Sequence, residues 1–182
     1  MNGLVKTLLV IVALAAFAFG FLWLTWARVS WRQTLTVAVE TPQSPIAGAS
    51  VQQVGKYDKA GPFKAITPIE ARGVDSTLRG EAVVVDLGES RYLFALLKGA
   101  DFLAQNTFAE EIGLGKPGVK WPRWAEAIPS LKGAKALERR HYPLLVTFDD
   151  IADPKTVRRV DPDDLDGAFG LCPDGSGLKD AD

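Results

Sequence analysis

The sequence is poor in the residue types on which many catalytic and metal sites depend. Its 182 residues include one cysteine, Cys172, and one histidine, His141. A single cysteine excludes an intrachain disulfide. A single histidine excludes zinc sites with two histidine ligands and leaves little basis for Ser-His-Asp catalysis. Because no cofactor-binding motif is present either, we expect no cofactor, no metal site and no catalytic residue that a motif identifies.

Charge is absent from residues 7–27, TLLVIVALAAFAFGFLWLTWA. About 20 apolar residues in a helix cross a hydrocarbon layer about 30 Å thick. Trp23, Trp26 and Trp31 lie at its C-terminal end, and indole rings favour the headgroup level. The segment therefore predicts a single transmembrane helix. The alternative is a cleaved signal peptide, for which residues 16–18, Ala-Phe-Ala, would supply the small-residue exit.

Positive charges do not decide the orientation of this helix. The N-terminal amino group and Lys6 precede it, and Arg28 and Arg32 follow it. A short N-terminal tail typically stays in the cytoplasm, which predicts an extracytoplasmic body. Small residues also form a strip along the helix that would let a second helix approach: Ala13, Ala16 and Gly20.

The rest of the chain is mildly acidic. Residues 33–182 hold 18 of the 21 Lys and Arg and all 22 Asp and Glu, for a net charge of −4. Without a basic stripe, nucleic acid is not an expected partner. We predict a membrane anchor over residues 1–32, one soluble domain over residues 33–170, and a disordered tail over residues 171–182.

Strand patterns dominate the predicted domain, and helical patterns are short. Residues 33–40 alternate, with Leu35, Val37 and Val39 on one face. We interpret residues 55–77 as a long surface loop with one helical turn near Pro68. Further strands are predicted over residues 49–54, 79–87, 91–97 and 142–148, the middle two joined as a hairpin through residues 88–90. Helices are predicted over residues 100–112 and 121–129 and after Asp161 as N-cap. The fold class is thus α+β, with a mainly antiparallel, sandwich-like sheet and short inserted helices.

Acidic residues form the most suggestive group for chemistry. Asp149, Asp150 and Asp153 are close in sequence, and neighbouring carboxylates can perturb each other's pKa or bind a hard cation. With Arg139 or Arg140 as an anion-binding partner, they would suit a hydrolase. The alternative is turn and cap chemistry for the aspartates and solvated ion pairs for the arginines.

Two tryptophans form the other candidate contact. Trp121 and Trp124 are predicted on one side of a short helix, where they would stack on a ligand or bind a partner. Aromatic residues of this size are also common core anchors, and the sequence leaves both interpretations open.

Three blocks, LTVAVETPQSPIAGASVQQV, GEAVVVDLGESRYLFALL and PLLVTFDDIADPKTVRRVDPDDL, resemble a group of uncharacterised bacterial proteins. Its members carry one N-terminal membrane segment before a body with these blocks, and the resemblance spans residues 35–170. It implies a Gram-negative, single-pass inner-membrane protein with a periplasmic body and no assigned activity. Members of the group continue with further strands after the position of Gly170, where this chain instead has a dozen polar residues.

The predicted function is that of a membrane-tethered binding or structural module of the cell envelope. Its partners would be the membrane and another envelope protein, engaged through the sheet or through Trp121 and Trp124. The alternatives are a hydrolase using Asp149, Asp150 and Asp153, and an accessory subunit of a membrane complex held by the small-residue strip.

Overall fold

The computed structural model describes residues 3–24 and 26–170 of the chain. It consists of an N-terminal helix, α1 (Gly3–Leu24), followed by an α+β body with two antiparallel sheets. The α+β class predicted from the strand patterns is confirmed. The window Thr7–Leu24 of α1 has a mean hydropathy of 2.5, and none of it is buried by the body. The helix is thus long and apolar enough to span a membrane.

The first sheet has the order β1-β2-β3. Its strands are β1 (Arg28–Val39), β2 (Ile46–Asp58) and β3 (Val74–Arg79). β1 and β2 pair along their full lengths, from Arg28 opposite Tyr57 to Val39 opposite Ile46. Alternate side chains of β1 face the interior, and Trp31, Leu35 and Val39 are buried, as strand periodicity requires. β1 includes residues 28–32, so these residues belong to the sheet.

The second sheet has the order β4-β5-β6-β7. Its strands are β4 (Val83–Asp86), β5 (Tyr92–Ala95), β6 (Leu145–Phe148) and β7 (Val157–Arg159). The predicted hairpin between β4 and β5 is confirmed, and its turn holds Gly88, Glu89 and Ser90 at positive φ. β7 was not predicted, because its three residues are all exposed and carry no apolar alternation.

The strand predicted over residues 79–87 is divided at Gly80. This glycine has a φ of +150°, and a Cβ there would lie 3.1 Å from the Gln52 Cα. The chain therefore runs against β2 as β3, breaks at Gly80, and enters the second sheet as β4. The apolar run of residues 79–87 begins only at Ala82, so it does not mark the point where β3 ends.

Two apolar clusters lie along β1. The cluster nearer α1 contains buried Trp31 and Val54 of the first sheet, together with residues after β5: Ala104, Ile112, Trp124, Ala125 and Ile128. The farther cluster joins both sheets and the C-terminal helix α4 (Leu165–Phe169): Leu35, Val39, Val83, Val85, Leu87, Leu93, Ala95, Ala100, Leu103, Leu145, Val160 and Phe169. The farther cluster thus contains buried residues of both sheets.

Three local predictions need correction. Residues 55–77 are not one loop, because β2 continues to Asp58 and β3 begins at Val74. The helix predicted over residues 100–112 shortens to a 3-10 turn, Ala100–Phe102, and α2 (Leu103–Thr107), followed by turns. The N-cap of α4 is Asp164, whose carboxylate accepts the Gly167 N–H at 2.9 Å, rather than Asp161. The helix α3 (Arg123–Ala127) lies where it was predicted, and the predicted disordered tail lies outside the described residues.

Candidate functional site

Asp149, Asp150 and Asp153 have different partners. The Arg158 guanidinium donates to Asp149 Oδ1 at 2.7 Å. Asp150 Oδ1 accepts the Ala152 N–H, and Asp153 Oδ1 accepts the Lys155 N–H, each at 2.9 Å. All three aspartates are exposed. Their contacts are those of a turn and of a cap on the 3-10 turn Pro154–Thr156, which favours the turn-and-cap alternative.

The two arginines of the hydrolase hypothesis pair with other carboxylates. Arg139 Nη2 donates to Asp161 Oδ1 at 3.1 Å and also pairs with Asp163. The hydrogen bond to Asp163 raises the pKa of Arg139. The Asp163 N–H lowers the pKa of Asp161, with a further contribution from Arg139. Arg140 pairs with Glu138 at 2.7 Å.

These ion pairs lie on the surface of the body. Arg139 is 46% exposed, and its two carboxylate partners are more exposed still. An open depression beside them is lined by Arg139, Arg159, Val160, Asp161 and Pro162. Exposed pairs of this kind are screened by water. Among residues 3–24 and 26–170, no group of three or more His, Cys, Asp or Glu side chains is placed to hold a metal ion.

Trp121 and Trp124 contact each other edge to face, with ring centroids 5.8 Å apart. Trp124 is only 9% exposed and belongs to the apolar cluster nearer α1. The indole Nε1 of Trp121 is buried and has no hydrogen-bond partner among the described residues. The burial of Trp124 favours the core-anchor interpretation over contact with a ligand.

The structure reveals a polar cluster that the sequence prediction missed, consisting of Lys56, Ser76, Asp101 and Phe102. We call it the Lys56 cluster. Lys56 of β2 lies opposite Ser76 of β3, and its side chain is 3% exposed. Its Nζ lies 3.8 Å from Asp101 Oδ2 and 4.1 Å from the centroid of the Phe102 ring. The Ser76 hydroxyl donates to the same carboxylate oxygen at 2.5 Å.

Burial lowers the pKa of Lys56, and the nearby charges of Asp101 and Asp75 oppose this shift. A buried ammonium group needs a counter-charge or a hydrogen-bond acceptor. Here Asp101 supplies the charge, and the Phe102 ring offers its negative face. The 3-10 turn that carries both residues is thereby held against β2 and β3.

Two glutamines extend this polar layer along the inner face of the first sheet. Gln52 is fully buried. The Gln33 side-chain amide donates to Gln52 Oε1 at 3.1 Å and to the Ala100 carbonyl at 2.7 Å. Gln33 Oε1 in turn accepts the indole N–H of Trp31. The layer thus connects the first sheet to the Ala100–Phe102 turn through several partnered groups.

The alternation of inward-facing residues along β2 is the sequence signal that could have placed Lys56 in the interior. Gln52, Val54, Lys56 and Asp58 follow one another at alternate positions and share the inner face of β2. The lysine and the aspartate, which usually face water, concealed that continuation. Asp101 and Ser76 meet Lys56 only through tertiary contacts, for which a single sequence carries no spacing rule.

The contact between α1 and the body forms a second region of interest. The Trp26 indole N–H donates to the Asp58 carbonyl at 2.8 Å. The Arg28 guanidinium lies 3.7 Å from the centroid of the Trp26 ring and 4.7 Å from that of Trp23. Trp26 also contacts Tyr57 edge to face, with centroids 6.1 Å apart. We call these five residues the junction; they connect the end of α1 to both long strands.

Comparison of the chain with protein-family models, with curated proteins and with solved structures gave no match.

Proposed function

We propose that the protein is a single-pass membrane protein whose α+β body is a binding or structural module held at the membrane surface. The observation that carries this proposal is the exposure of α1. A helix of this length inside a soluble protein would bury its apolar surface, whereas none of the window Thr7–Leu24 is covered by the body. Lipid would cover that surface.

The junction supports a retained anchor over a cleaved signal peptide. Residues 16–18 lie within α1, and beyond the helix Trp26 contacts Asp58 and Tyr57 of the body while Arg28 begins β1. Cleavage after Ala18 would leave Phe19, Phe21 and Leu22, each at least 39% exposed, at a new terminus in water. Aromatic and cationic side chains at the end of the helix are typical of the membrane interface.

Expression of the full chain in a Gram-negative host tests this proposal. We expect it in the membrane fraction after an alkaline carbonate wash, with an intact mass of 19.7 kDa.

A Cys172→Ser, Ile151→Cys variant tests the predicted periplasmic side, since Ile151 is 62% exposed. An impermeant maleimide should label this cysteine once the outer membrane is opened, without disruption of the inner membrane. Recovery of the chain in the supernatant would contradict the anchor, a mass lacking residues 1–18 would identify a signal peptide, and labelling only after disruption of the inner membrane would reverse the orientation.

For the partner, the first sheet is the better supported surface, since Trp124 is buried. β1 is a 12-residue strand at the sheet edge, and among the described residues no strand pairs with its outer side. An exposed edge can accept a strand from another protein. A photocrosslinking residue at Thr36 on β1 should give an adduct with an envelope protein in intact cells, and the same residue at Ile151 should not. Equal adducts at both positions, or none, would contradict this surface.

The proposal includes a sandwich-like arrangement of the two sheets. Its support is the shared core, in which Leu35 and Val39 of β1 lie in one cluster with Val83 and Val85 of β4. Gly48 of β2 lies so close to β4 that a Cβ there would come within 2.1 Å of the Val84 carbonyl oxygen. Sheets that share a core in this way pack face to face. An envelope setting, implied by the resemblance of the three sequence blocks, is part of the same proposal.

A further inference from the structure

Residues 59–73 expose large apolar side chains that the body does not cover. We call this segment the 59–73 loop. Ile66 is 80% exposed, Ile69 is 74% exposed and Phe63 is 47% exposed. Single exposed apolar residues are ordinary, but three within seven positions of one loop form a local apolar surface. Two short 3-10 turns, Gly61–Phe63 and Ile69–Ala71, shape the loop.

The loop lies at the end of α1 from which β1 starts. Its first turn contacts α1, and a Cβ on Gly61 would lie 3.0 Å from the Trp26 ring. Asp58, directly before the loop, accepts the Trp26 indole hydrogen bond through its carbonyl. β3 begins beside the same end, since Val74 pairs with Asp58. Both ends of the loop are therefore held near the C-terminal end of the apolar helix.

The charges of the loop suit a phospholipid surface. It carries Lys59, Lys64 and Arg72 against one acid, Glu70, within a body whose net charge is negative. Lys59 and Lys64 are each more than half exposed, although they also pair with Asp75 and Asp58. Exposed apolar side chains flanked by cations are typical of segments that lie in the headgroup region of anionic bilayers.

We infer that the 59–73 loop is a second membrane contact, which places Phe63, Ile66 and Ile69 in the headgroup and upper acyl region of the bilayer that α1 spans. This inference rests on the proposed membrane anchor and extends it. The loop is continuous with the junction, so the bilayer is the surface that it meets first. The body is then attached at two places, through α1 and through the loop.

Depth-dependent fluorescence quenching tests the inference on the full chain. Cys172→Ser removes the only cysteine, and single cysteines are then introduced for an environment-sensitive fluorophore. Ile66→Cys probes the loop, Leu14→Cys probes α1, and Ile151→Cys is the matched exposed isoleucine in the turn after β6. Each protein is reconstituted into vesicles of zwitterionic and anionic phospholipid that contain lipids spin-labelled near the headgroup or deeper in the acyl chain.

We expect the Ile66 probe to be quenched at least threefold more than the Ile151 probe, and more by shallow than by deep spin labels. Quenching of the Leu14 probe alone, with the Ile66 probe no more quenched than the Ile151 probe, would overturn the inference and leave the anchor intact. Absence of quenching at Leu14 would overturn the anchor itself. A second variant, Ile69→Asp added to the Ile66 probe, should reduce that quenching, and an unchanged signal would also count against the inference. Equal urea midpoints for all variants establish that the body stays folded.

Discussion

The Lys56 cluster gives the sharpest test of the fold, through the substitution Asp101→Asn. This change keeps the size of the side chain and an oxygen that can accept the Ser76 hydroxyl, but it removes the charge 3.8 Å from Lys56 Nζ. Unit charges about 4 Å apart interact by about 4 kcal/mol at an effective dielectric constant of 20. Because the partners are 3% and 15% exposed, breaking the pair should cost about 3 kcal/mol near pH 7.

Deprotonation of Lys56 limits this loss and gives it a pH dependence. The ordinary pKa of lysine is 10.5, and releasing the proton costs about 1.4 kcal/mol for each unit by which the pH lies below that value. The cost is therefore about 5 kcal/mol at pH 7 and about 1 kcal/mol at pH 9.7. Burial lowers the pKa of Lys56, and removal of Asp101 should lower it further. The unfolded chain then binds more protons than the folded chain, so stability rises as pH approaches 10.5. The difference between the variant and the native chain should shrink to about 1 kcal/mol near pH 9.7.

Urea unfolding of the full chain in detergent micelles, followed by tryptophan fluorescence, measures these free energies. Asp75→Asn is the matched control, because Asp75 is 44% exposed and its charge opposes the lowering of the Lys56 pKa less than the charge of Asp101 does. The control should lose less than 1 kcal/mol. Adding Lys56→Met to Asp101→Asn should restore most of the stability, since no charge is then buried. Equal losses in the two single variants, or a loss at Asp101 that does not change between pH 7 and pH 9.7, would refute the role of the cluster.

Three further substitutions test the core, a close approach and a helix cap by the same unfolding assay. Leu93→Ala should cost about 2–5 kcal/mol, because the side chain is 1% exposed and its removal leaves a cavity. Gly48→Ala should cost about 1–3 kcal/mol, because the new methyl group meets the backbone of Val84 rather than a mobile side chain. Asp164→Ala should cost about 1 kcal/mol through loss of the bond to the Gly167 N–H.

Neighbouring positions supply the controls. Val84→Ala on the exposed side of β4 should cost less than Leu93→Ala, and Ala47→Ser beside Gly48 should change stability little. A Leu93→Ala cost no larger than that of Val84→Ala would contradict the assigned core. A neutral Gly48→Ala would contradict the close approach of β2 and β4, and a neutral Asp164→Ala would contradict the cap.

Local patterns predicted the elements whose sequence and burial agree. β1 and the β4–β5 hairpin followed from alternation and a glycine turn, and α3 followed from its tryptophan spacing. The predicted ends of elements were wrong where contacts with distant residues determine the structure against the local sequence pattern. Lys56 is charged yet faces inward because Asp101 arrives from a distant turn, so β2 was ended too early. Residues 108–112 carry a helical pattern but form turns, and Ile112 is buried in the cluster nearer α1 all the same.

The candidate residues show the same division. Asp149, Asp150 and Asp153 are close in sequence, but Asp149 pairs with Arg158 whereas Asp150 and Asp153 accept backbone N–H groups of their own turns. The partners of Arg139 lie 22 and 24 positions away, a separation that no motif describes. Burial of Trp124 depends on Trp31 and Val54 across the cluster, which residue type alone does not reveal.

The brevity of the connection between α1 and β1 restricts where the body can act. Only three residues separate Leu24 from Arg28, and three residues span at most about 10 Å. β1 then extends about 40 Å over its 12 residues. A body connected so closely to its helix cannot search a wide volume as a flexibly linked domain does. With α1 as the proposed membrane anchor, a ligand of this body must come within a few tens of ångströms of the lipid, which favours neighbours embedded in the same bilayer over freely diffusing ones.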